Sequence, residues 1–141
     1  PWVLVAAPEY LKLRGTPRKP ADLAKHDALV YSTAQGDARW LFTGTDGKQQ
    51  AMAVRGPLKS NNLSALLAAA RGGMGVAALP WYVAYEAVKA GLVQPLLNEW
   101  KLPSQEIHAV YPSPRQLPAK VSSFVEWLQG QIDEAWWTRP L

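Results

Sequence analysis

Ser60, Asn61 and Asn62 stand directly ahead of apolar residues at helical spacing, Leu63, Leu66, Leu67 and Ala70, and their chemistry can be stated from spacing alone. An Asn at such a junction caps the first turn of a helix, and the N–H groups left free there carry partial positive charge. The triplet is therefore a candidate seat for a carboxylate or another anionic group. Only one side chain is needed as the cap, so capping and ligand binding are compatible readings of the same turn. Tyr31 and Ser32, at the end of the apolar run ALVYS, are further candidates for a cleft wall, although a strand-end tyrosine more often packs than binds.

Other chemistries find little support. Hydrolysis needs a nucleophile, a base and an orienting group in contact. The two histidines, His26 in an expected loop beside Asp27 and His108 in an expected apolar strand, accompany no nucleophile motif. Distant histidines and scattered carboxylates have no metal-ligand spacing, and without cysteine there is neither a disulfide nor a thiolate site. No cofactor is expected. The stretch Arg71, Gly72, Gly73, Met74, Gly75 has the wrong order for a phosphate loop, because its glycines follow a helix and precede a strand.

The elements that must position the triplet are legible on either side of it. Residues 58–80, LKSNNLSALLAAARGGMGVAALP, read as a strand end, a turn, an amphipathic helix, a glycine break and a buried strand, which is a βαβ unit. Gly72 is expected in the left-handed conformation that ends the helix, and Met74 to Leu79 as a parallel strand covered on both faces. Pro80 suits the start of the next helix, near 81–89, with Gly91 as its stop. Upstream, residues 2–6 read as a strand and 9–14 as a short helix between Pro8 and Gly15. Strands follow at 28–32 and 39–42, and Asp46-Gly47 is a hairpin turn into 49–54. Downstream, Pro95 marks an edge strand within 92–97, and 106–111 reads as a strand. A final amphipathic helix carries Val121, Phe124, Val125, Leu128 and Ile132 at spacings of three and four. The pattern as a whole predicts an α/β fold with a mixed sheet.

The chain has 141 residues and a net charge of +4. Lys12, Arg14, Arg18, Lys19 and Lys25 lie around turns and helix ends and form no recognition helix, so the charge reads as a solvated face. Most of the seven tryptophans have aliphatic neighbours, which favours packing over base stacking, and packing is also expected for Trp136 and Trp137. No stretch is apolar enough to span a bilayer, and no signal peptide is visible. The opening strand reads as already in progress at Pro1, so a segment upstream is expected.

In this order the residues resemble the effector-binding region of LysR-type transcriptional regulators. The resemblance rests on VLVAAPEYLKLRGTPRKPADLAKHDALVYS at 3–32, Trp40-Leu41-Phe42, LKSNNLSALLAAARGGMGVAALP at 58–80, Gly91-Leu92-Val93 before Leu96-Leu97, and AVYPSPRQLPAKVSSFVEWL at 109–128. It implies a type 2 periplasmic-binding-protein-like fold, here one nearly complete lobe plus the C-terminal part of the other. Residues 1–6 would be a hinge strand, 7–106 regulatory lobe II, and 107–141 the returning hinge strand with part of lobe I. Ala7 and Pro8 near the first hinge and Tyr111 near the second join Ser60, Asn61, Asn62, Tyr31 and Ser32 as ligand-binding candidates. Where relatives often carry Ala-Ser-Pro this chain has Ala6-Ala7-Pro8, which places a methyl where a hydroxyl would stand. The resemblance further implies a small-molecule effector (a carboxylate or aromatic metabolite), no enzymatic activity, and a cytoplasmic homodimer or homotetramer with no membrane contact. Promoter DNA would be reached only through a winged helix-turn-helix outside this sequence. The helix after Asn62 is a candidate subunit contact, with burial in its own lobe as the competing reading. An extracytoplasmic solute-binding protein of a transporter is the alternative function.

Overall fold

Alternating apolar residues on neighbouring strands give one sheet a core on each of its faces. Leu4 and Ala6, Ala28 and Val30, and Val76 and Ala78 face one way, while Val5, Leu29, Ala77 and Leu79 face the other. The computed structural model that shows this describes residues 1–32, 38–104, 108, 110 and 118–132. The chain divides into two units, Pro1–Gln105 and Glu106–Leu141.

In the first unit, β1 (Trp2–Ala6) leads to α1 (Pro8–Arg14), a 3-10 helix (Pro20–Lys25) and β2 (Ala28–Tyr31). The hairpin β3 (Arg39–Thr43) and β4 (Gln49–Ala53) follows, then β5 (Leu58–Ser60), α2 (Leu63–Arg71), β6 (Val76–Pro80), α3 (Trp81–Lys89) and β7 (Gln94–Leu96). The sheet runs β5-β2-β6-β1-β7. Strand β2 is parallel to β5 and β6, whereas β1 is antiparallel to β6 and β7. The hairpin forms its own two-stranded sheet, tied to the turn after β7 by a bridge from Thr43 to Lys101.

The first core contains Tyr10 and Leu11 of α1, Leu23, and Trp40 and Phe42 of the hairpin. The second contains Leu66 and Ala70 of α2 with Ala84 and Ala87 of α3. The apolar stripe of α2 thus turns largely into the second core, and Ser64, Ala65, Ala68 and Arg71 are its exposed residues. Strand β6 is buried along its length, as its unbroken apolar run predicts. Strand β7 takes the sheet edge that Pro95 requires.

Some expectations shift. The left-handed residue after α2 is Gly73, at φ 74°, and not Gly72, which continues near helical geometry at φ −75°. Met74 is half exposed and precedes the strand, which begins at Val76 because Gly75 packs against the Asp27 carbonyl. The strand at 2–6 is an interior member of the sheet, bonded on both sides. The strand expected at 106–111 falls mostly outside the described residues; His108 and Val110, which are described, are exposed.

In the second unit α4 (Ala119–Gln131) follows Pro118 as expected, and it has no buried residue. Val121, Phe124, Leu128 and Ile132 of its apolar stripe are all exposed, and the Phe124 and Trp127 rings stack at 6.2 Å.

Candidate functional site

Because β2, β5 and β6 run parallel, their carboxyl ends meet at one end of the sheet, where open α/β sheets commonly bind ligands. Tyr31 is in register with Ser60, and the Ser32 N–H donates to the Ser60 carbonyl at 2.9 Å. The chain then turns. The Asn62 N–H donates to Ser60 Oγ at 3.1 Å, and Asn62 Oδ1 accepts from the Ala65 N–H at 3.1 Å. Asn62 is therefore the N-cap of α2, and the Ser60 hydroxyl holds the turn. The exposed Asn61 side chain has no hydrogen-bond partner among the described residues.

Two further residues reach this end through topology. Strand β1 runs against β6 with Trp2 opposite Pro80, which brings the start of β1 beside the carboxyl ends of the parallel strands. The Trp2 and Tyr31 ring centroids lie 5.8 Å apart at a tilt of 54°. At the start of α3, the Trp81 N–H donates to the Pro1 carbonyl at 2.9 Å. Sequence reasoning missed Trp2 because an apolar run does not announce its direction in a sheet.

The same direction separates two expected candidates from the rest. Ala7 and Pro8 follow the far end of β1, since Ala6 pairs with Gln94 while Trp2 pairs with Pro80. Ala7 is the N-cap of α1 and is buried in the first core. The structure thus brings Tyr31, Ser32, Ser60, Asn61 and Asn62 together and leaves Ala7 and Pro8 at the opposite end of the sheet. Tyr111 lies outside the described residues.

A groove of about 440 Å³ lies on the other side of β1, with Trp2, Leu4, Leu97, Trp100, Lys101 and Leu102 among its lining residues. It does not include the polar turn at Ser60.

His26, expected in a loop, is buried and serves structure. Its Nδ1 lies 3.2 Å from the Tyr10 hydroxyl, which also accepts the Asp27 N–H at 2.9 Å. Arg14 closes this knot, with Nη2 at 3.4 Å from Asp27 Oδ2 and donating to the Lys25 carbonyl at 3.2 Å. Burial, assisted by the Arg14 charge, lowers the His26 pKa below its ordinary value, and burial raises that of Tyr10. Among the described residues no cluster of His, Cys, Asp or Glu could hold a metal ion. No helix among them is long and apolar enough to cross a membrane.

The family model described as LysR substrate binding domain matches residues 1–133. The chain is 36% identical over 117 residues to an uncharacterized HTH-type transcriptional regulator of Haemophilus influenzae, covering 83% of this chain and 40% of that protein. It is 32% identical over 130 residues to the HTH-type transcriptional regulator PtxR of Pseudomonas aeruginosa, covering 92% of this chain and 41% of PtxR. The chain thus spans less than half the length of these relatives. The full-length structure of the Vibrio cholerae virulence activator AphB, a member of the LTTR family, is similar with a TM-score of 0.79 at 24% identity, over 92% of this chain and 44% of that one. The regulatory domain of CrgA, a LysR-type regulator of Neisseria meningitidis, gives a TM-score of 0.72 at 23% identity, over 94% of this chain and 65% of that one. At such identities the likeness speaks for the fold, which is periplasmic-binding-like.

Proposed function

The chain belongs to the LysR substrate binding domain family, and on that premise we propose that it is the effector-sensing part of a LysR-type transcriptional regulator. A small molecule, a carboxylate or an aromatic metabolite, binds at the carboxyl ends of the parallel strands. The single observation that carries this reading is the division of roles in the polar turn. Asn62 is occupied as a helix cap and Ser60 Oγ as a turn acceptor, while Asn61 stays exposed with no partner among the described residues, in the turn that follows the Tyr31–Ser60 register pair. The effector controls transcription only through differential affinity, binding one arrangement of the regulator more tightly than the other.

In this reading residues 7–106 are the second regulatory lobe, residues 1–6 and the segment from 107 are the passages between lobes, and the remainder to 141 belongs to the first lobe. The absence of any buried residue on α4 supports the last assignment, since a helix with an apolar stripe belongs to a larger core than its own unit offers. The regulator is a cytoplasmic homodimer or homotetramer. A subunit contact on α2 would use the exposed Ala65 and Ala68 side, because Leu66 and Ala70 are committed inward. Promoter DNA is contacted by a winged helix-turn-helix outside this chain, and the domain binds without catalysing. The relatives described above are transcriptional regulators, which favours this function over solute delivery to a transporter.

The test is a thermal-shift screen of small organic acids and aromatics on the full-length regulator, followed by calorimetric titration of hits against Ser60→Ala and Asn61→Ala. Both variants are expected to lose affinity while retaining the fold. Unchanged affinity in both removes these residues from the site. Asn62→Ala is the poorer probe, because loss of the cap alone costs about 1 kcal/mol.

A further inference from the structure

Trp2 and Tyr31 come from strands that are not neighbours, since β6 lies between β1 and β2. Their rings nevertheless approach to 5.8 Å, at the end of β6 where Pro80 is paired with Trp2. They belong to different packing layers: Trp2 lies against the core of α1 and the hairpin, Tyr31 against the core of α2 and α3. Neither ring is enclosed. Both are partly exposed, and Trp2 also forms a wall of the open groove beside β1. A pair of rings that meets across the end of a sheet, and that neither core buries, presents an aromatic surface at the strand ends. The polar side chains around it, Ser32, Ser60, Asn61 and Asn62, are all uncharged.

We propose that this pair selects an aromatic effector, with Trp2 and Tyr31 as the specificity-determining residues. The inference rests on the effector reading above and narrows it to one ligand class. Rings at this separation and tilt accept a third ring edge-to-face or offset, a geometry that rewards a π-system over a saturated ring of similar size. The uncharged amides and hydroxyls nearby suit a ligand with one small polar or carboxylate group on that ring, and disfavour a dianion.

The experiment is calorimetric titration of the full-length regulator with benzoate, cyclohexanecarboxylate and succinate, which separate ring aromaticity from the carboxylate. Benzoate is expected to bind roughly tenfold more tightly than cyclohexanecarboxylate, the scale of one or two aromatic contacts. Trp2→Leu and Tyr31→Leu should bring that ratio close to one, and Tyr31→Phe should keep it. Preservation of the ratio in Trp2→Leu and Tyr31→Leu overturns the inference, as does equal or tighter binding of cyclohexanecarboxylate, or no binding of benzoate. Succinate binding that depends on Asn61 would leave the effector reading standing while overturning the aromatic one. A Trp2→Phe variant guards against loss of folding, because it retains a ring and should retain the preference.

Discussion

Replacing Tyr10 by Phe isolates the contribution of one hydroxyl to the joint between α1 and β2. The ring stays in the first core, so packing is unchanged and only polar partners are lost. Two contacts disappear together: the approach of the hydroxyl to His26 Nδ1 at 3.2 Å and the Asp27 N–H donation at 2.9 Å. His26 is buried and Asp27 partly so, which limits replacement of either bond by water. With a net contribution of about 0.5–1.5 kcal/mol per bond, the expected loss is about 1–3 kcal/mol. At a urea dependence of about 1–3 kcal/mol per molar, the midpoint should fall by on the order of 1 M. The assay is urea denaturation at neutral pH followed by tryptophan fluorescence, with Tyr10→Ala as a comparison that adds a cavity. A Tyr10→Phe midpoint indistinguishable from that of the parent would refute the claim that this hydroxyl organises the joint.

The depressed His26 pKa gives the fold an acid limb. The folded chain binds this proton less readily than the unfolded chain, so the contribution is fully present above the ordinary histidine value near 6.5 and is lost as pH falls through the lower folded value. Denaturation midpoints measured between neutral and mildly acidic pH should decline, and His26→Gln should flatten that decline; an equal slope in the variant would assign it elsewhere. Gly75→Ala should destabilise by about 2–4 kcal/mol, because the new Cβ would sit 2.2 Å from the Asp27 carbonyl, the acceptor of the Val76 N–H, and strain of that kind adds to a compromised bond. Thermal melting checks it, and a wild-type melt would mean that the Asp27 backbone yields at little cost.

Features that depend on nearby residues were readable in the sequence. An asparagine cap at 61 or 62, which the structure resolves as Asn62, the Asp46-Gly47 hairpin turn, Pro80 at the start of α3 and the Pro95 edge strand are each set by a few residues in a row. Features set by distant partners were not. Ala7 and Pro8 were candidates because the resemblance places them near a hinge, and nothing in WVLVA shows which end of the strand lies beside the polar turn, where the topology puts Trp2. The left-handed glycine after α2 fell one residue beyond its expected place, because in a Gly72-Gly73 pair either residue can take that geometry at no steric cost. His26 lies in a loop as expected, but its burial was not readable, because it depends on Tyr10, which lies on another element.

The placement of β1 has a bearing on how the domain acquires its structure. Strand β1 is synthesised before both of its sheet neighbours, β6 and β7, so Trp2 and Leu4 must wait for Pro80, Ala78 and Leu96 before their ladders can close. Contacts of such long sequence separation form slowly, and until then the apolar segment has no mate and is vulnerable to pairing with other chains. A nascent domain of this architecture should therefore depend on chaperones for as long as translation leaves β1 without its partners.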